Sequence, residues 1–207
     1  PSILSPEERA RGERFATVEL RRRFVTGHSS LRRILGRYLG QEPAALPLVN
    51  TAAGKPELRD ATLRFNLSHT AATGAVAVCR RHSIGVDIEQ IRPMPNMTGI
   101  VDQFFSPREK EQFNPRVAPE QSLAAFYRGW TRKEAYLKGR GEGLLTPLDC
   151  FSVALIPGEP AALLEHRDEP DEVNRWQLLD FESPGDIVGC VAVAARGPLR
   201  LRQYADP

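Results

Sequence analysis

At 207 residues, 41% of them hydrophobic, the chain has material for one large domain or two small ones around a real core. Lysine plus arginine (28) nearly balance aspartate plus glutamate (26), so no global field favours nucleic acid, and no apolar run approaches membrane-spanning length. Cys79, Cys150 and Cys190 are odd in number and set in apolar surroundings, which argues against a disulfide framework and a metal knuckle and suits buried thiols in a reducing, cytoplasmic compartment.

Ser5-Pro6-Glu7-Glu8 has the form of a helix start, with serine as N-cap, proline at the first helical position and glutamate closing a capping box. Helical patterning continues, with interruptions, to about Leu39, and carries Arg9, Arg11, Arg14, Arg21, Arg22, Arg23, Arg32, Arg33 and Arg37. Such a patch suits a phosphate-rich ligand or a solvated helix face. The chain begins at Pro1 rather than Met and lacks the basic-then-apolar order of a signal peptide; a trimmed N-terminal segment is expected.

Residues 41–60 hold Pro43, Pro47, Gly54 and Pro56 and read as a connecting loop. The run from Gly74 to Cys79 suits a covered strand, and Ser83 to Glu89 reads as its hairpin partner. After a break at residues 92–96, Ser106-Pro107-Arg108-Glu109 repeats the helix start of Ser5, and residues 189–195 echo the run at Gly74, as a duplicated α/β unit would give. Gln121 to Lys138 is a helix stopped by Gly139, Gly141 and Gly143; Phe151 to Leu155, Arg175 to Phe181 and Ile187 to Ala195 read as strands.

Four short patterns carry chemistry. In Gly85-Val86-Asp87-Ile88-Glu89, strand alternation puts both carboxylates on one face, either as solvent-facing acids of an edge strand or around a hard cation such as Mg²⁺. In Trp130-Thr-Arg-Lys133-Glu134-Ala-Tyr-Leu-Lys138, Glu134 and Lys138 lie one helical turn apart, as a surface ion pair or as a third carboxylate with an ammonium beside it. Asn66-Leu67-Ser68-His69-Thr70 offers hydroxyls and an imidazole to a phosphate, and Lys55-Pro56 stand in the Gly/Pro loop.

Taken in order, Gly-Lys-Pro, Asn-Leu-Ser-His-Thr, Gly-Val-Asp-Ile-Glu and Trp-x-x-Lys-Glu-Ala-x-x-Lys followed by Gly-x-Gly-Leu144, the series resembles the 4′-phosphopantetheinyl transferase superfamily. Within it the chain is similar to the longer class that activates peptide and polyketide synthetases rather than the half-length trimeric class. The resemblance implies an α/β (α+β) fold of two pseudo-symmetric halves, residues 1–91 and 92–207, with coenzyme A in the cleft between them. It implies transfer of 4′-phosphopantetheine from coenzyme A to a serine of an apo acyl, peptidyl or aryl carrier protein, with release of 3′,5′-ADP. It further implies Mg²⁺ on Asp87, Glu89 and Glu134, and phosphate contacts from Ser68 and His69. Lys55 and Pro56 would line the adenine end, and Lys133 and Lys138 would face the diphosphate. Lys138 would also serve as proton donor to the leaving group and Glu109 as the base for the attacking serine, although Glu109 doubles as a capping-box residue. Arg23 is the expected 3′-phosphate contact, and His28 stands where many relatives carry arginine. The expected partners are a carrier protein and coenzyme A, with no nucleic acid and no membrane, and a monomer suffices. Phe104, Phe105 and Phe113 offer either a docking surface for the carrier or ordinary core packing. Two rival functions share these residues: a silent carrier-binding module, against which the intact carboxylates and lysines speak, and a Mg²⁺-dependent phosphohydrolase, which would call for further His/Asp ligands.

Overall fold

The computed structural model describes residues 3–113, 119–143, 146–156 and 158–205, so Pro1 and the Leu144 of the last motif lie outside the described residues. The chain divides into two compact units, Pro1–Leu63 and Arg64–Pro207.

The first unit holds α1 (Pro6–Glu13), α2 (Val18–Leu39), a short 3₁₀ turn (Pro43–Ala45) and a two-stranded hairpin of β1 (Leu48–Asn50) and β2 (Pro56–Leu58). α1 begins where the sequence places it: Ser5 Oγ accepts from Glu8 N, and the Glu8 carboxylate accepts from Ser5 N. The hairpin lies inside the stretch read as a loop. Its strands, Leu-Val-Asn and Pro-Glu-Leu, are three residues each, too short for a periodicity to register.

The second unit begins with β3 (Arg64–Thr70), β4 (Thr73–Cys79) and β5 (Ile84–Gln90). Helices α3 (Met97–Phe104), α4 (Pro107–Gln112) and α5 (Pro119–Arg140) follow. It ends with β6 (Phe151–Val153), β7 (Leu163–His166), the single turn α6 (Glu172–Arg175), β8 (Gln177–Ser183) and β9 (Ile187–Val193). β5 is not the hairpin partner of β4. β4 pairs with β3, and β5 pairs antiparallel with β9, which pairs with β8 on its other side. The short hairpin signal after Cys79 therefore loses to a pairing about a hundred residues distant, which buries Val86, Ile88 and Cys190 almost completely.

The β5–β9–β8 sheet carries α5 on one face. Val188, Cys190 and Ala192 of β9 join Ala135 and Tyr136 of α5 in the main core, while Val191 and Val193 pack with Ile84, Val86 and the alanines of β4 on the other face. α5 comes down onto β5 at a pair of glycines. A Cβ on Gly85 would collide with the Ala135 carbonyl and with the backbone of Gly139, and one on Gly139 would strike Trp176. Gly139 is thus a contact glycine inside the helix and not its stop; that role falls to Gly141, whose φ of +78° lies in the left-handed region. Phe105 is fully buried and packs against Phe113 and Phe126, so core packing claims the ring offered as a docking surface.

Candidate active site

The closeness of α5 to β5 brings Asp87, Glu89, Glu134 and Lys138 together. Asp87 is buried, not a solvent-facing acid of an edge strand, because β9 covers one flank of β5 and β3 the other. Its Oδ1 accepts from Ser68 Oγ at 2.9 Å and from the Lys138 ammonium, which also donates to Ser68 Oγ at 3.1 Å. Its Oδ2 is buried without a hydrogen-bond partner among the described residues. A buried carboxylate oxygen left unpaired is costly and calls for an explanation.

The three carboxylates disfavour one another's charge. Burial pushes Asp87 above the ordinary carboxylate range, and the Lys138 ammonium and the Ser68 hydroxyl only partly offset it. Burial also raises Glu89, with the Asp87 charge adding to it; Glu134 is raised by burial and then by Asp87, with Lys138 opposing. A cluster with more negative charge than one lysine balances suits a cation. Among the described residues no three His, Cys, Asp or Glu side chains are already drawn into a metal cage. The donor set nevertheless fits a hard divalent ion: all its atoms are carboxylate oxygens, one is buried and unpaired, and Thr70 Oγ1 holds Glu89 Oε2 at 3.1 Å.

Other candidates land elsewhere. Lys133 and Glu109 are completely buried and paired with each other at 2.8 Å. Lys133 also donates to the carbonyls of Leu148 and Phe151 and sits 4.2 Å from the centroid of the Phe151 ring, while burial lowers its pKa against the pull of Glu109. Glu109 accepts from Ser106 N at 2.7 Å and from Val153 N at 2.8 Å. Both oxygens of Glu109 accept hydrogen bonds, Lys133 spends its three donors on Glu109, Leu148 and Phe151, and neither side chain reaches solvent, so the structure places both in the core instead of facing a diphosphate or a serine hydroxyl. The capping-box reading of Glu109 is the one the geometry carries.

His69 is exposed, and strand alternation puts it on the opposite face of β3 from Ser68. Arg23, Lys55 and Pro56 belong to the first unit. There Arg23 is exposed and pairs with Glu19 at 2.7 Å; Lys55 and Pro56 are half-buried at the hairpin turn, where Lys55 N donates to Thr51 Oγ1. His28 Nδ1 lies 3.0 Å from Glu8 Oε1, and Arg32 donates to the other oxygen of the same carboxylate at 2.6 Å.

A protein-family model for the 4′-phosphopantetheinyl transferase superfamily matches residues 83–192, which run from the start of β5 through α5 to β9. The chain belongs to that superfamily. Over 200 residues it is 40% identical to the 4′-phosphopantetheinyl transferase HetI of a Nostoc species, a match covering 95% of this chain and 81% of that one. The 4′-phosphopantetheinyl transferase Sfp of Bacillus subtilis is 34% identical over 159 residues, covering 74% of this chain and 67% of Sfp. These relatives are of the longer class, and the chain is a transferase that moves 4′-phosphopantetheine from coenzyme A to a carrier-protein serine. The matched segment contains Asp87, Glu89, Glu134 and Lys138, so the transferase motif and the carboxylate cluster coincide.

One participant stood inside a motif without a role of its own. Thr70 closes the Asn-Leu-Ser-His-Thr run, and its spacing of two from Ser68 was the available signal: alternate residues of a strand share a face.

Proposed function

We propose that this 4′-phosphopantetheinyl transferase requires Mg²⁺ and holds it on Asp87, Glu89 and Glu134. The observation that carries the reading is the buried, unpaired Asp87 Oδ2 beside two further carboxylates whose charged forms burial and mutual repulsion disfavour. Bound there, Mg²⁺ would supply positive charge against the diphosphate, where the departing 3′,5′-ADP gathers negative charge.

The chain's own residues do the rest. Lys138, already seated on Asp87 and Ser68, brings an ammonium to the same place, able to neutralise the leaving phosphate or protonate it. Ser68 fixes Asp87 and keeps the lysine in place. His69, Lys55 and Pro56 contact coenzyme A, as their places in the family motifs support, and Arg23 of the basic helix contacts its 3′-phosphate. Two pseudo-symmetric halves, residues 1–91 and 92–207, are supported by the two capping boxes at Ser5 and Ser106. A monomer acting in the cytoplasm on acyl, peptidyl or aryl carriers is supported by a carboxylate set drawn from one chain and by cysteines that form no disulfide.

Incubation with coenzyme A and an apo carrier protein, followed by the carrier's mass, tests the metal. Transfer should stop in excess chelator and return with added Mg²⁺; undiminished transfer in chelator would remove the metal from the reaction. Running acyl, peptidyl and aryl carriers in parallel and comparing kcat/KM assigns the partner class.

A further inference from the structure

β3 and β5 lie side by side without sharing a backbone ladder. Alternate side chains of β3 take the ladder's place: Asn66 Oδ1 accepts from Val86 N at 2.8 Å, Ser68 Oγ from Ile88 N at 3.4 Å and Thr70 Oγ1 from Gln90 N at 3.2 Å. The constant offset of twenty residues means that the two strands run in the same direction. Two of the three rungs also face the site. Ser68 donates its hydroxyl hydrogen to Asp87 Oδ1, and Thr70 donates its own to Glu89 Oε2 at 3.1 Å.

A hydroxyl has a single hydrogen. With its oxygen accepting the Gln90 amide, the Thr70 hydrogen is directed at Glu89, and the β-branched side chain has few rotamers through which to turn it elsewhere. Among the described residues no cation pairs with Glu89 as Lys138 does with Asp87, and the Thr70 hydroxyl is the hydrogen bond that restrains its half-buried carboxylate. We infer that Thr70 is a positioning residue for the reaction: it anchors one oxygen of Glu89 to the backbone of β5, so that this carboxylate meets a metal in a fixed orientation. The inference rests on the reading of Asp87, Glu89 and Glu134 as the Mg²⁺ site.

The test measures coenzyme A binding by calorimetry on the full chain without carrier protein, at increasing Mg²⁺, so that no turnover enters. Wild type, T70V, T70S and E89Q are compared, with thermal unfolding of each. T70V, which keeps the shape and loses the hydroxyl, should raise the Mg²⁺ concentration at half-effect by at least about tenfold, the scale of losing a hydrogen bond to a metal-binding carboxylate. T70S should return close to wild type. An unshifted T70V midpoint, alongside an E89Q midpoint that does shift, overturns the role of Thr70 and leaves it only a strand-packing residue. Coenzyme A binding that ignores Mg²⁺ in wild type strikes the underlying metal reading instead. If T70V does not fold, T70A against T70S decides by the same midpoints.

Discussion

Two acidic pairs of identical spacing flank β9. Asp87 and Glu89 on β5 lie opposite Cys190 and Val188, and Asp180 and Glu182 on β8 lie opposite the same two residues from the other side. Residues directly opposed across antiparallel ladders share a face, so all four acids point toward α5. The helix treats them differently. Over β8 it places Arg132, which grips Asp180 with two nitrogens, and one turn earlier Arg128, 3.1 Å from Glu182. Over β5 it places a third carboxylate, Glu134, and a single Lys138. One Asp-x-Glu is neutralised by arginines and the other is left short of positive charge, so the pattern is a site or a brace according to what the facing helix supplies.

The largest effect that could break this comparison is on turnover. D87A and E134A should each lose at least about 10²-fold in activity, the scale of removing one charge-stabilising group, as read by carrier-protein mass over time. D180A should stay within the same order of magnitude as wild type while lowering the melting temperature, because it leaves buried Arg132 without its carboxylate. Equal losses at Asp87 and Asp180 would erase the distinction.

Next comes stability away from the site. K133M or E109Q leaves one charge of a completely buried pair uncompensated and should cost on the order of 3–5 kcal/mol in urea unfolding. The pH–rate profile of whatever E109Q remains folded should match wild type. A profile that loses its acidic limb would return Glu109 to the role of base.

The smallest expected effect is on pH dependence. Asp87, Glu89 and Glu134 have folded pKa values above their unfolded ones, so between those values the native state keeps protons that the unfolded chain has lost. Without metal, their contribution to stability is therefore greatest at low pH and falls as pH rises through that window. Glu8 runs the other way: although burial opposes it, hydrogen bonds from His28, Ser5 and Arg32 hold its pKa down to about 2, so its stabilisation is present above the unfolded value and fades as pH falls toward 2. Added Mg²⁺ should accordingly raise the melting temperature more at pH 7 than at pH 5, and E134Q should raise it in chelator while shrinking the Mg²⁺ response. A Mg²⁺ shift independent of pH would separate the metal from these carboxylates.

Much of this was legible in the residues. Ser5 and Ser106 announce their helices because capping is a local exchange of hydrogen bonds within four residues. Asp87, Glu89 and Glu134 were visible as motifs, yet their burial was not, because the β5–β9 pairing and the glycine contact of Gly85 with α5 are long-range events. Lys133 looked like a ligand contact for the same reason: no spacing rule shows that the residue just before Glu134 turns into the core and finds Glu109 there. The acids of β8 were silent as a pair until Arg128 and Arg132 appeared across from them.

The most direct measurement is of the metal itself. Mn²⁺, an ion of the same oxygen-seeking kind as Mg²⁺, can be followed by its electron paramagnetic resonance as it binds with coenzyme A to wild type, D87N and D180N. Loss of bound Mn²⁺ in D87N with full retention in D180N is the predicted result. Mn²⁺ held equally well by D87N would contradict the assignment of the site to β5.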